Sequence, residues 1–503
     1  MKGERGLFFS GVFMLSARSI RLLPFAAASL LAMGALLACG ESSTSSDPLN
    51  PGLSSANGYG DPDYSSTGGD PYNPGDPGTG GSSQGGVPGT SSAIGTSSAA
   101  GGGGVSYEQG DVPPKADWVA PTCVATGSEI PANDPCVLYF GRWDRATVPE
   151  SPTASWSGAH IRLKFNGTGI SIKMTTNSEQ GYLKQIDGGE LVKFDVDESA
   201  SATVPLFSGL PAGEHELTFY RRSEGSYGMF SVQGFVVEGG TIVVPNAPSS
   251  RMIECMGNSI TAGFAADAPT NSLETNNTIT AWCVQTAMKL GAEWSVVAHS
   301  GQGMYINLNG TGTQEPNSDH VATMYDEYQW MHFPTWSGVA PHNWQYNSSG
   351  NRVPWDWSVV PDVAIYAIGT NDYINPDPSD LAQFNALFKA KYKDFIKNVV
   401  RPHYPRERTA IFLHGIVLPD EWTPHHKWDT ANRNLEELVA ELNSEGDDRV
   451  FAINPRPTYS NVDSWLADGN VDFNGDRTHP SAGGHQILAT KVSAIVREKM
   501  GWQ

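Results

Sequence analysis

The chain is predicted to fold as an all-β sandwich of jelly-roll type followed by a three-layer α/β/α domain with a parallel sheet. Three observations predict this. Between residues 136 and 244, apolar and polar side chains alternate with period two, and the breaks are turn-rich. From residue 253 on, short apolar runs alternate with amphipathic helical stretches. The residues able to do chemistry fall at the ends of the predicted strands, where open parallel sheets place their sites. With 503 residues, either half is long enough to bury its own core.

Residues 1–38 read as a targeting segment. Lys2, Arg5, Arg18 and Arg21 precede or open the apolar run 22–38, and Leu36-Leu37-Ala38 leads into Cys39. The small residue before Cys39 resembles a bacterial lipoprotein cleavage site, which would make Cys39 the lipidated N-terminus; the alternative is an ordinary signal cut nearby. The expected location is therefore outside the cytoplasm, lipid-anchored at the cell surface or else secreted. No later stretch reads as a membrane span. Residues 39–112 form the next segment. It is dominated by Ser, Gly, Pro, Asn and Thr, has no Lys or Arg, and is expected to stay disordered as a tether or a glycosylated stalk.

The precursor carries 32 basic and 53 acidic residues, a net −21. Four of the bases and one of the acids lie in residues 1–38, so the remainder stands at −24. That balance argues against nucleic acid and anionic lipid surfaces as partners and suits a neutral polymer. Five cysteines are present. With Cys39 assigned to lipid, the remaining four admit three pairings in an exported protein, and sequence proximity favours Cys123 with Cys136 and Cys255 with Cys283. No Cys-x-x-Cys pair or regular Cys/His spacing suggests a metal, and neither metal nor cofactor is expected.

The sandwich is placed at 113–246, with strands at 160–165, 169–174, 182–186, 191–196, 203–206, 215–221 and 229–237. Its expected role is to pack against the catalytic half, with a sugar-binding module as the alternative. The catalytic half is placed at 247–503. Strands are expected at 252–256, 294–297, 363–368, 410–413 and 450–453, mostly continuous apolar runs as in a sheet buried on both faces. Helices are expected at 381–399, 429–443 and 486–500; the first has Leu381, Phe384, Leu387, Phe388, Tyr392, Phe395, Ile396 and Val399 on one face.

Three motifs carry the chemistry. The strand 252–256 runs into the turn Gly257-Asn258 and then Ser259, which a sharp strand-to-helix turn would push above the sheet as a nucleophile. Taken alone, Ser259 reads more readily as the N-cap of an ordinary helix, and the two motifs that follow change that balance. Gly369-Thr370-Asn371-Asp372 follows the third strand, and Asp476-Arg477-Thr478-His479-Pro480 precedes the last helix. An imidazole is a base suited to neutral pH, and an aspartate three residues earlier can curl back to its far nitrogen, fixing the tautomer.

In this order, the three motifs resemble the SGNH (GDSL-like) hydrolase superfamily over about 250–503. With the all-β stretch upstream, the chain is most similar to the bacterial carbohydrate esterases of family two, which remove acetyl groups from plant polysaccharides. The resemblance implies Ser259 as nucleophile, His479 as base and Asp476 as its orienting acid, the last being the least fixed member in that family. It assigns the oxyanion donors to the Ser259 N–H, the Asn371 side chain and a glycine N–H in the block Ala298-His299-Ser300-Gly301-Gln302-Gly303, with Gly303 as first choice and Gly301 as second. Asp372 is expected to orient its loop. The chain departs from the pattern twice: Asn258 stands where an aspartate is usual, and Ala298 where an asparagine is.

Aromatic residues are dense between the second and third motifs: Tyr325, Tyr328, Trp330, Trp336, Trp344, Trp355 and Trp357. Most are expected in packing. Trp357, with Trp422 and Trp428 further on, is the expected sugar contact. The resulting expectation is a serine esterase acting as a monomer on acetylated xylan or glucomannan, touching membrane only through its lipid. Its alternatives are a lipid-directed GDSL hydrolase and a carbohydrate-binding surface protein without catalysis.

Overall fold

The computed structural model describes residues 117–308, 322–333, 353–374, 381–418, 427–457, 464–466, 472–474 and 476–503. The expected signal, Cys39, the linker and Trp422 lie outside the described residues. Within them, no helix is long and apolar enough to cross a membrane.

The first half is two antiparallel sheets. Its strands are β1 (Glu129–Pro131), β2 (Leu138–Phe140), β3 (Thr153–Ala154), β4 (His160–Gly167), β5 (Gly169–Thr176), β6 (Gln180–Ile186), β7 (Val192–Val196), β8 (Ser199–Phe207), β9 (Gly213–Arg221), β10 (Phe230–Glu238) and β11 (Thr241–Val243). One sheet runs β1-β10-β5-β8 with β3 also on β10, and the other runs β11-β4-β9-β6-β7 with β2 also on β4. The alternation read from the sequence in β4, β5, β9 and β10 buries Ile161, Leu163, Phe165, Leu217 and Phe219 from one sheet against Ile170, Ile172, Met174, Phe230 and Val232 from the other. Cys123 is joined to Cys136 at the start of this half, and Cys255 to Cys283 in the next.

The second half opens at β12 (Met252–Gly257) and continues with α1 (Ser259–Ala262), α2 (Trp282–Lys289), β13 (Glu293–Ala298), α3 (Met324–Glu327), β14 (Val363–Ala367), α4 (Thr370–Ile374), α5 (Leu381–Asp394), β15 (Ala410–His414), α6 (Lys427–Ser444), β16 (Val450–Ile453) and α7 (Ala482–Met500). Every strand pair is parallel, in the order β13-β12-β14-β15-β16. The chain leaves β12 for one edge and then returns to its other side, so the strand order reverses at β12. Such a reversal places sites of open parallel sheets at the carboxyl ends of the strands, and the Ser259 and Asn371 turns follow β12 and β14 at that end. α5 runs on through a π-type stretch, Phe395–Val400, so the apolar face read from the sequence extends past its regular end.

The two halves share side chains. Trp156, Leu183 and Tyr220 of the sandwich are buried in the same core as β12, β13 and β14. Arg142, fully buried, lies 3.5 Å from the Glu254 carboxylate in mid-β12 and donates to the Trp330 carbonyl at 2.9 Å. The same Glu254 accepts from Ser295 Oγ at 3.0 Å, Tyr404 Oη at 2.9 Å and Tyr328 Oη.

Candidate active site

The serine turn is built by its neighbours. Asn258 caps α1, its Oδ1 accepting from the Ile260 N–H at 3.1 Å. Gly257 leaves no room for a Cβ, which would fall 2.1 Å from Thr261 Oγ1, and Gly263 ends the turn in the left-handed region at φ 80°. Ser259 is thereby held at the end of β12 with 8% of its surface open.

His479 arrives from the loop before α7. Its Nε2 lies 2.8 Å from Ser259 Oγ, and its Nδ1 lies 2.6 Å from Asp476 Oδ2. With the ring proton on Nδ1, the imidazole donates to the carboxylate and its Nε2 faces the serine hydroxyl as acceptor. Asp476 Oδ1 also accepts from the N–H groups of Thr478 and His479 at 2.9 and 3.0 Å. Burial alone would raise this carboxyl, but the bond to His479 and the two backbone donors outweigh it and hold the group below its ordinary value. Asn474 ties the loop to the serine turn, donating to the Ala265 carbonyl at 2.7 Å. Phe264 covers the imidazole, with ring centroids 4.3 Å apart.

The loop after β13 lies between the other two motifs. The His299 N–H donates to the Gly257 carbonyl at 3.2 Å, and Asn371 Nδ2 donates to the Gln302 carbonyl at 2.7 Å. That bond uses one of the two Asn371 amide hydrogens. Asp372 anchors the far side, accepting from the N–H groups of Met304, Tyr305 and Ile306 at 2.7–2.9 Å. Burial pushes its carboxyl up to about 6, with these three bonds opposing the rise.

Several expected residues are placed differently. Gly303 was the first choice for an oxyanion donor, but its N–H is buried and donates to Asn307 Oδ1 at 3.1 Å, so it is already satisfied. Gly301, the second choice, adopts φ 80°, and its N–H meets no acceptor among the described residues. Trp357 lies at the amino-terminal side of the sheet, where its ring stacks on His403 at 4.1 Å, away from the serine end. Trp428 is 1% exposed within the core and offers no face to a sugar. Tyr328 and Trp355 are buried as expected. Among the described residues, Cys123, Asp134 and Cys136 form a compact group of metal-ligand types. Its thiols are joined in a disulfide, and Asp134 accepts three N–H groups.

Sequence reasoning missed the acidic residues around the loop. Glu224, from the β9–β10 connection of the sandwich, accepts from the Ser300 N–H at 2.5 Å and from Ser300 Oγ at 2.7 Å. Glu327, at the end of α3, accepts a hydrogen bond from His299 Nδ1 at 2.7 Å. Burial opposes protonation of His299, yet Glu327 and Glu224 together lift it above its ordinary value. No motif marks either residue, because contacts 28 and 76 positions apart leave no local pattern.

Residues 139–247 match the family described as carbohydrate esterase 2 N-terminal, and residues 253–492 match GDSL-like lipase/acylhydrolase. The chain is 29% identical to the cellulase/esterase CelE of Acetivibrio thermocellus over 75% of its own length, spanning 41% of that protein. It is 23% identical to an acetylxylan esterase/glucomannan deacetylase of Cellvibrio japonicus, covering 74% of this chain and 91% of the relative. A family two carbohydrate esterase from Clostridium thermocellum, solved in complex with cellohexaose, superimposes with a TM-score of 0.60 at 28% identity, covering 73% of this chain and all of that one. The chain therefore carries a carbohydrate esterase 2 N-terminal domain followed by a GDSL-like lipase/acylhydrolase domain, the arrangement of the family two carbohydrate esterases.

Proposed function

We propose that the protein is a serine esterase that removes O-acetyl groups from plant cell-wall polysaccharides such as acetylated xylan or glucomannan. The observation that carries this reading is the relay from Ser259 Oγ to His479 Nε2 at 2.8 Å and from His479 Nδ1 to Asp476 at 2.6 Å. Ser259 Oγ attacks the ester carbonyl while His479 Nε2 takes its proton, and Asp476 stabilises the imidazolium. The Ser259 N–H, the Gly301 N–H and the remaining Asn371 amide hydrogen receive the developing oxyanion. The sugar hydroxyl leaves with the proton from His479. Water, deprotonated by the same imidazole, then attacks the acetyl-serine and releases acetate.

The sugar ester as substrate is supported by the names of the relatives and by the solved relative's complex with cellohexaose. Export, a lipid anchor at Cys39 and residues 40–111 as tether complete the proposal, with the protein acting as a monomer. The test is acetate release from acetylated xylan and glucomannan by membranes and medium of cells making the full chain. Activity is expected in the membrane fraction for wild type, in the medium for Cys39→Ala and in neither for Ser259→Ala. Equal release by Ser259→Ala would end the reading.

A further inference from the structure

The oxyanion loop of the catalytic half is gripped from behind by the sandwich. Glu224 is 2% exposed, and both its carboxylate oxygens are committed to Ser300, one to its N–H and one to its hydroxyl. The loop that brings Glu224 there is itself fixed: the buried Arg221 donates from Nε to the Ser223 carbonyl at 3.0 Å and from Nη2 to the Glu224 carbonyl at 2.8 Å. The next residue must be glycine, since a Cβ on Gly225 would fall 2.2 Å from the Phe333 ring. Phe333 in turn packs on His299, with centroids 4.3 Å apart. On the other side, Ser300 is followed by Gly301 at φ 80°, and Asn371 holds the Gln302 carbonyl.

We propose that Glu224 is a positioning residue of the esterase: by binding the Ser300 N–H and hydroxyl, it sets the Ser300-Gly301 turn so that the Gly301 N–H stays open to the oxyanion. The inference rests on the esterase reading above and assigns the β-sandwich a direct part in catalysis. The charge matters as well as the shape, because a carboxylate accepts two hydrogen bonds at once and binds each more strongly than a neutral oxygen would. A loop that drifts by a fraction of an ångström weakens only the interaction made in the transition state. The expected signature is therefore in kcat rather than in KM.

The test uses the full chain with 4-nitrophenyl acetate as substrate and phenylboronic acid as a probe that forms a tetrahedral adduct on the serine. Glu224→Ala is expected to lower kcat roughly 10- to 100-fold with KM nearly unchanged, and to weaken boronate inhibition by a similar factor. Glu224→Gln, which keeps one acceptor, should recover much of both losses. Ser300→Ala removes only the hydroxyl bond without touching the sandwich, and should show a smaller loss of the same kind even where Glu224→Ala does not fold. The inference is overturned if folded Glu224→Ala keeps wild-type kcat, if kcat falls while boronate affinity holds, or if Ser300→Ala matches wild type in both. Wild type without Ser259-dependent turnover would overturn the esterase reading instead.

Discussion

Gly301 and Gly303 look interchangeable in the sequence, two glycines in one turn-rich block, yet they do different work. The Gly301 N–H meets no acceptor among the described residues, its φ is 80°, and the nearest atom a Cβ would meet is Leu308 Cβ at 3.9 Å. The Gly303 N–H is spent on Asn307, and a Cβ there would fall 1.9 Å from the Ile306 carbonyl. Gly301→Ala should therefore cost about 1–2 kcal/mol in backbone strain and show mainly as reduced kcat. Gly303→Ala should show mainly as lost stability, about 3 kcal/mol. Denaturant midpoints and kcat, measured on both variants, separate the two. At this scale, the contact of Asp476 with His479 was legible because an aspartate three residues before a histidine can reach its ring, and the place of Ser259 because it follows a strand-ending Gly-Asn turn. The glycine was not, because a free N–H depends on what its neighbours bond to. Trp357 and Trp428 were misread for a similar reason, since an aromatic side chain's burial follows from packing and not from its identity.

β12 shows both sides of what an element reveals. Its residues read correctly as a short buried strand, and the runs behind β14, β15 and β16 followed the same logic of a sheet covered on both faces. Glu254 in its middle is the exception that the pattern cannot explain: it is 2% exposed and answers to Arg142, Ser295, Tyr328 and Tyr404, three of them more than 70 positions away. Removing it strands a buried guanidinium. Glu254→Ala is expected to lower unfolding free energy by about 3–5 kcal/mol, checked by urea unfolding, whereas an effect below 1 kcal/mol would mean that Arg142 is satisfied without it. Long helices were placed well because three or more turns of an apolar face are hard to mistake, as in α5 and α6. α7 begins four residues before its expected start, at Ala482, because Ala-Gly-Gly-His carries no amphipathic signal and the cap is made by Ser481. The three-residue strands β1, β2 and β11 were missed because a period cannot be read from so few positions.

For the molecule as a whole, the sequence correctly separates a β half from an α/β half but does not show how far the second depends on the first. Trp156, Leu183 and Tyr220 complete the catalytic core, Arg142 neutralises a carboxylate inside it, and Glu224 holds the loop beside the serine. These contacts tie the sandwich to the serine-bearing half through a shared core, a buried ion pair and a pair of hydrogen bonds. The direct measurement of the central claim is the covalent intermediate. The full chain is mixed with 4-nitrophenyl acetate, quenched in acid within the first turnovers, digested and weighed by mass spectrometry. On the esterase reading, one added acetyl group is expected on the peptide bearing Ser259 in wild type and none in Ser259→Ala, which should also lose turnover. Undiminished turnover in Ser259→Ala, or acetyl carried by another residue on the path to acetate, would contradict it.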